Sequence, residues 1–204
     1  TKSELDDESF YRMFGRISEF AAGHSGVVLE DYGTGIFNSN FTQKIIPLLK
    51  EHNLFISVDP SRITDPLLYK GAHLLKPNRL ESELMVKQLG YNEKNIEKIM
   101  EILVDKLEPE KVIITLGGEG MAILDTKVDK TVQTIPTVAR EVFDVSGAGD
   151  TAISAIAASL ACGATLTEAA WIGNCASGVV IGKKGTALVN QTELQAYYDK
   201  LNHK

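Results

Sequence analysis

Cysteine is scarce in this sequence, with two residues, Cys162 and Cys175, in a chain of 204. Two thiols cannot staple a small disulfide scaffold. Both fall in apolar helical patterns, so reduced core thiols are expected. Long apolar runs are lacking too. No stretch approaches the roughly 18–20 residues of a bilayer-spanning helix, and the opening TKSELDDESF is polar and acidic, unlike a secretory leader. Positive charge is short, 21 Lys and Arg against 27 Asp and Glu. A nucleic-acid binder needs a basic face for the phosphate backbone, and Lys183-Lys184 is too brief to make one. The four histidines, His24, His52, His73 and His203, show no metal-ligand spacing. The single tryptophan, Trp171, sits in an apolar helical pattern and is expected in the core. These absences leave a cytoplasmic protein with no nucleic-acid or membrane partner. A hydrophobic content of 44% is enough for one sizeable core.

What is present is an alternation of strands and helices. Apolar residues at helical spacing predict helices over 8–22, 39–53, 79–90, 92–107, 148–161, 166–182 and 191–202. Short apolar runs predict strands at 26–35, ending in a glycine loop, and at 54–60 and 72–78. A strand-turn-strand covers 111–124, a further strand 131–137, and 125–131 reads as a hairpin loop. The alternation predicts an α/β fold with a mostly parallel sheet covered on both faces. Ligands of such sheets bind off the carboxyl ends of the strands. Those ends carry Asp31, Asp59, Asn78, the Thr115–Gly118 turn and the 144–150 loop, which together predict one long cleft.

The segment FDVSGAGDTAISAIAASLACG (143–163) holds the densest chemistry. Gly147, Ala148 and Gly149 let the backbone fold tightly at a helix start. First-turn N–H groups and the helix dipole then make an anion hole. A carboxylate there, Asp150, would repel an anion. It makes sense as a base that takes a proton from an attacking hydroxyl while the N–H groups hold charge on a phosphoryl group. The bland alternative is a simple turn with Asp150 as an ordinary helix N-terminal residue. Gly147-x-Gly149-x-x-Ala152 also fits a dinucleotide fingerprint, but helix follows helix where a strand tip with an acidic residue is required. Gly178 to Lys183 is one residue short of a Walker A loop and has no Ser or Thr after the lysine.

Asp144-Val145-Ser146-Gly147-Ala148-Gly149-Asp150-Thr151 closely resembles the D-T-x-G-A-G-D signature of the ribokinase-like (PfkB) carbohydrate kinases, departing at Val145-Ser146. Asn78-Arg79-Leu80-Glu81 matches the family's N-x-x-E, VIITLGGEGMAIL its nucleotide-flanking turn, and NCASGVVIGKKGTA (174–187) its adenine-side helix and loop. Within the family, EDYGTG, SVDPS, YKGAHLLKPNRLE, EVFDVSGAGDT and GKKGTALV most resemble the heptose-7-phosphate kinase branch. That branch is the kinase half of bifunctional enzymes that make ADP-heptose for lipopolysaccharide core.

The resemblance implies a three-layer αβα sandwich, a single partial kinase core over 1–204, and ATP-dependent phosphorylation of a sugar phosphate. It makes Asp150 the base and Gly147, Ala148 and Gly149 the anion hole. Asn78 and Glu81 would lie near Mg²⁺ and the ATP phosphates through water, although Asn at N-cap with Glu at N3 is equally a helix capping box. Thr115, Gly117 and Gly120 would contact nucleotide, or serve only as a tight hairpin. Asn174 would border adenine, or be a buried Asn bonded to backbone. Gly185 with the carbonyls of Asp144 and Ser146 lies where relatives hold a monovalent cation such as K⁺. Asp31 and Asp59 would approach phosphates or substrate, or cap turns, and Lys76 would meet a phosphate or stay solvated. The family's first strand with its substrate-binding Asp, its Gly-Gly turn and its β-lid are not in the sequence, nor is an H-x-G-H adenylyltransferase motif. The chain alone is therefore expected to turn over poorly, and a homodimer is expected from an uncovered sheet edge. The alternatives are another sugar kinase of the family or a non-catalytic binding protein on the same fold.

Overall fold

The computed structural model describes residues 7–139 and 144–202; the opening 1–6, Arg140 to Phe143, His203 and Lys204 lie outside the described residues. Among the described residues, thirteen main elements follow in chain order: α1 (Asp7–Ala21), β1 (Gly26–Glu30), α2 (Ser39–Glu51), β2 (Phe55–Asp59), β3 (Leu74–Leu75), α3 (Arg79–Gln88), α4 (Ile96–Leu107), β4 (Lys111–Thr115), β5 (Met121–Asp125), β6 (Asp129–Ile135), α5 (Ala148–Ala161), α6 (Leu166–Ile181) and α7 (Gln191–Asn202). The six strands lie side by side in chain order. β1 to β4 run parallel, and β5 and β6 add as an antiparallel pair.

Side-chain alternation along the strands builds two cores. In β4, Val112 and Ile114 face one way and join Ile56, Val58, Leu75, Ile99 and Leu103; Ile113 faces the other and joins Leu74, Ile123, Ile156 and Ala169. Helices therefore cover both faces. Helices α2, α3 and α4 pack on one side of the sheet, and α5 and α6 on the other. Both faces of the central strands are dry, which is why they read as near-continuous apolar runs, with Ser57 the polar exception in β2.

The departures from the sequence expectations have local causes. Helix α4 begins at Ile96 because Glu93 takes the N–H groups of Lys94 and Asn95, and Asn95 then caps by accepting from Lys98 N at 3.1 Å. The β5–β6 connection is tighter than expected, with Asp125 opposite Asp129. Strand β3 shrinks to two residues, although His73 N still donates to Ile56 O and Lys76 N to Val58 O. A short 3-10 turn at Pro66–Tyr69, capped by Asp65, had no reading in the sequence. Cys175 is buried as expected, but Cys162 is exposed, because it is the residue that ends α5 before Gly163 turns the chain away. Trp171 is half-buried against the second core rather than inside it.

Strand β1 stands at one edge of the sheet. Beside it, a groove of about 640 Å³ runs along α1, lined by Met13, Ile17, Phe20, Val27 and Leu54. It is mostly apolar, with Arg12 and Arg16 also lining it, and lies away from the charged residues at the strand ends.

Candidate active site

The carboxyl ends of β1, β2, β3 and β4 meet the start of α5 around a cleft of about 630 Å³. Asp31, Asp59, Lys76, Asn78, Glu81, Thr115, Gly117, Gly149 and Asp150 all line it. The single long cleft expected from five strand-end loops is thus formed. A smaller space of about 170 Å³ adjoins it through Thr115, Gly117 and Gly149, and is lined also by Gly120, Ala148 and Asn174. The structure accordingly divides the singled-out residues between two connected spaces.

The glycine loop enters α5 through Gly147 at φ 78, a left-handed conformation that suits glycine. Ala148 donates its N–H to Val145 O at 3.2 Å, so that group closes the turn rather than facing a ligand. Gly149 and Asp150 follow in the first helical turn, where N–H groups lack helical acceptors. A Cβ on Gly149 would stand 3.8 Å from Lys76 Nζ and 3.9 Å from Asp59 Oδ2, so this ion pair lies directly beneath the loop. Lys76 is not solvated. Its ammonium is 2.7 Å from Asp59 Oδ2, with the two side chains 3% and 13% exposed.

The expected alternatives at several positions turn out to be built. Asn78 Oδ1 accepts from Glu81 N at 2.9 Å and Glu81 Oε2 accepts from Asn78 N at 2.8 Å, a complete capping box for α3. Asn174 donates Nδ2 to Pro136 O at 2.7 Å and is buried. Gly120 is held by its hairpin: at φ 97, a Cβ would fall 2.0 Å from Ile135 O. Asp31 caps a turn. Its Oδ1 accepts from Gly33 N and its Oδ2 from Tyr69 OH, each at 2.7 Å. Asp144 accepts from Ser146 N at 2.9 Å, and this bond, with another from Gly185 N–H, holds its carboxyl below the usual range. The 144–147 and 185–186 loops are therefore neighbours, as the cation expectation required.

Two residues escaped the sequence reading, Glu30 and Tyr32. The signal was available in the alternation at the end of β1. With Asp31 turned inward to Tyr69, its neighbours on both sides must face the cleft. One carboxylate oxygen from each of Glu30, Asp59 and Asp150 lies within 4.8 Å of the others. Burial, then the charges of Asp59 and Asp150, push the Glu30 carboxyl up to about 8. Burial also raises Asp59, against the opposing pull of Lys76. Glu30 thus keeps its proton at neutral pH and bridges its two neighbours.

The stability consequence has a definite sign. Between about pH 4.5 and 8 the unfolded chain has lost the Glu30 proton and the native chain has kept it. Stability therefore falls as pH rises through that window. Glu30→Gln, facing the same Asp59, Asp150, Tyr32 and Lys76, is expected to flatten this slope in urea titrations at pH 5, 6.5 and 8. A slope identical to that of the parent chain would show that Glu30 is not the group responsible.

Comparison with known proteins bears directly on this cleft. The model of the pfkB family carbohydrate kinases matches residues 40–193, a span that holds β2 to α6 and thus most of the cleft. The chain belongs to that family. Among curated relatives of this chain, the bifunctional protein HldE of Aliarcobacter butzleri (strain RM4018) is 34% identical over 199 residues, covering 98% of this chain and 41% of that protein. HldE of Haemophilus influenzae (strain ATCC 51907) is 36% identical over 183 residues, covering 90% and 37%. The chain thus spans about two fifths of the length of the curated relatives it matches. Phosphofructokinase-2 from Escherichia coli, solved in complex with potassium, superposes with a TM-score of 0.77 at 21% identity, over 97% of this chain and 63% of that one. Ribokinase from Thermotoga maritima gives 0.75 at 21%, over 98% and 61%. These likenesses establish the ribokinase-like fold. No described helix is long and apolar enough to cross a membrane.

Proposed function

We propose that this carbohydrate kinase transfers the terminal phosphoryl group of ATP to a hydroxyl of a sugar phosphate. The acceptor we favour is heptose 7-phosphate, giving heptose 1,7-bisphosphate on the route to ADP-heptose. The observation that carries the reading is the position of Asp150. Its carboxylate sits in the first turn of α5, next to Gly149 and in the same cleft as Asn78, Glu81 and Thr115. Phosphoryl transfer asks mainly for positioning and charge cancellation. The first-turn N–H groups of α5 hold the phosphoryl oxygens, with Gly147 shaping the turn and Ala148 closing it. Asp150 takes the hydroxyl proton as the alcohol attacks. Heptose 7-phosphate as acceptor is supported by the HldE relatives.

Thr115, Gly117, Gly120 and Asn174 form the nucleotide side, Gly120 and Asn174 by shaping the smaller space. A polyphosphate beside three carboxylates needs a divalent cation to neutralise it. The capping box occupies Asn78 Oδ1 and Glu81 Oε2, which leaves Glu81 Oε1, 3.7 Å from Arg62 Nε, as the freer oxygen. That donor set fits Mg²⁺ held through water and not by direct ligation. Bound there, Mg²⁺ would neutralise charge on the phosphates. K⁺ beside Asp144, Ser146 and Gly185 belongs to the same reading, as does self-association through the open β1 edge.

The test is single-turnover transfer from labelled Mg·ATP with protein in excess, which reads rates too slow for a steady-state assay. Label is expected on heptose 7-phosphate ahead of fructose 6-phosphate and ribose. Preference for either of those would move the assignment to another sugar kinase of the family. No transfer, together with no calorimetric heat at millimolar Mg·ATP, would leave a non-catalytic binding protein.

A further inference from the structure

Asp150 is exposed, has a short side chain, and stands within 4.8 Å of the Asp59 carboxylate and of protonated Glu30. Left alone, such a side chain would spread over several rotamers. The structure gives it a donor from the far side of the cleft. Tyr32 OH donates to Asp150 Oδ2 at 3.0 Å, across 118 residues of sequence.

The backbone that presents Tyr32 is fixed at several points. Asp31 N donates to Asp59 O at 3.0 Å, tying the end of β1 to β2. The Asp31 carboxylate takes Gly33 N on one oxygen and Tyr69 OH on the other. Tyr69 OH in turn accepts from Ser61 N at 3.1 Å. Gly33 sits at φ 67, and a Cβ there would meet Ile63 at 2.9 Å, so the turn closes tightly against the 61–64 loop. With Asp31 locked inward, Tyr32 is directed outward over the start of α5. Tyr32 as a whole is 71% exposed, so packing does not account for its placement. The titratable groups facing the phenol are Asp150 from α5, Glu30 from β1 and Asp59 from β2, with Lys76 paired to Asp59 below. Loss of hydration, then the bond to Asp150, pushes the phenol up to about 12, so it is a firm donor throughout the working pH range.

We infer that Tyr32 is a positioning residue for Asp150: its hydroxyl pins one carboxylate oxygen and leaves the other aimed at the acceptor alcohol. The inference rests on the kinase reading for its purpose, but the contact and its effect on Asp150 are independent of turnover. A base whose direction is fixed before the substrate arrives loses less entropy in the attacking geometry. Tyr32 therefore acts on the rate of transfer and not on nucleotide binding.

The experiment compares the parent chain with Tyr32→Phe, which keeps the ring and removes the hydroxyl. Selective aspartate labelling gives the Hα–Hβ couplings of Asp150 at pH 7, identified by their absence from Asp150→Asn. The parent is expected to show the unequal pair of a single staggered rotamer, and Tyr32→Phe the averaged pair of a mobile side chain. In single-turnover transfer, Tyr32→Phe is expected to slow the reaction about tenfold, the scale of one lost hydrogen bond to a charged group. Its affinity for Mg·ATP should stay within twofold of the parent. Couplings unchanged in Tyr32→Phe would overturn the inference, as would a transfer rate within twofold of the parent. A parent chain inert toward every sugar phosphate would count against the kinase reading, while the couplings would still decide whether Tyr32 holds Asp150.

Discussion

Asp150→Asn is expected to slow phosphoryl transfer about a thousandfold, within the range that loss of a positioned base produces, and to leave the protein no less stable. The two halves of this expectation have different origins. Asparagine fills the same space at the start of α5 but cannot take a proton from the acceptor hydroxyl. The nucleotide side of the cleft, Thr115, Gly117 and the capping box of Asn78 and Glu81, is untouched, so affinity for Mg·ATP should hold or improve as a negative charge leaves. Stability is the sharper half. An acidic residue whose task was to complement the helix dipole would cost stability on neutralisation. Here the carboxylate lies within 4.8 Å of that of Asp59, so removing its charge relieves repulsion between the two, and the asparagine oxygen can still accept from protonated Glu30. A loss of folding stability in urea, joined to a rate change under tenfold, would return Asp150 to the ordinary helix-terminus role that its sequence position alone allows. A large rate loss with equal or greater stability is the signature of a functional site kept at a cost to the fold.

The sequence reading reached further into the fold than into the cleft. Runs such as KVIIT and FISVD declare buried parallel strands, because both faces are covered and only the small, buried Ser57 interrupts them. The start of α5 was legible because glycine at 147 and 149 needs a backbone reason, and φ 78 at Gly147 supplies it. What the linear pattern cannot show is how strand ends converge. Lys76 follows an apolar pair and looked as much a surface residue as a phosphate ligand. Only the parallel pairing of β2 with β3 puts it against Asp59. Glu30 reads as the last residue of a strand until β2 and α5 bring two more carboxylates to it. Tyr32 and Asp150 are 118 positions apart, a separation that no local periodicity bridges. Asn78 and Glu81 show the opposite limit. Their spacing satisfied a helix cap and a phosphate site equally, and the structure forms the cap while placing both at the cleft wall.

Lys76→Met is expected to cost about 3–5 kcal/mol of folding stability near pH 8, the range for breaking a buried ion pair by removing one partner. Methionine matches the length of the stem, so little packing is lost. The penalty comes from Asp59, left charged, mostly buried and facing Glu30 and Asp150. Its pH dependence identifies the cause. Without Lys76, Asp59 escapes the penalty by keeping a proton, so the deficit should be largest at alkaline pH and fade toward pH 4, where the unfolded chain is protonated as well. Adding Asp59→Asn should recover most of the loss, since the stranded charge is then gone from both states. The same substitution bears on function, because the ammonium lies 3.8 Å from where a side chain at 149 would begin. Removing it leaves uncompensated negative charge beneath the loop assigned to the phosphates, so Mg·ATP should bind about tenfold more weakly, the scale of one unscreened charge at a few ångström. The double variant, with both charges removed, should restore much of that affinity. Urea unfolding at pH 5 and 8 with calorimetry on the three proteins separates these effects. A deficit below about 1 kcal/mol at pH 8, or one that does not change with pH, would mean that Asp59 finds its compensation elsewhere and that the pair beneath Gly149 carries no special weight.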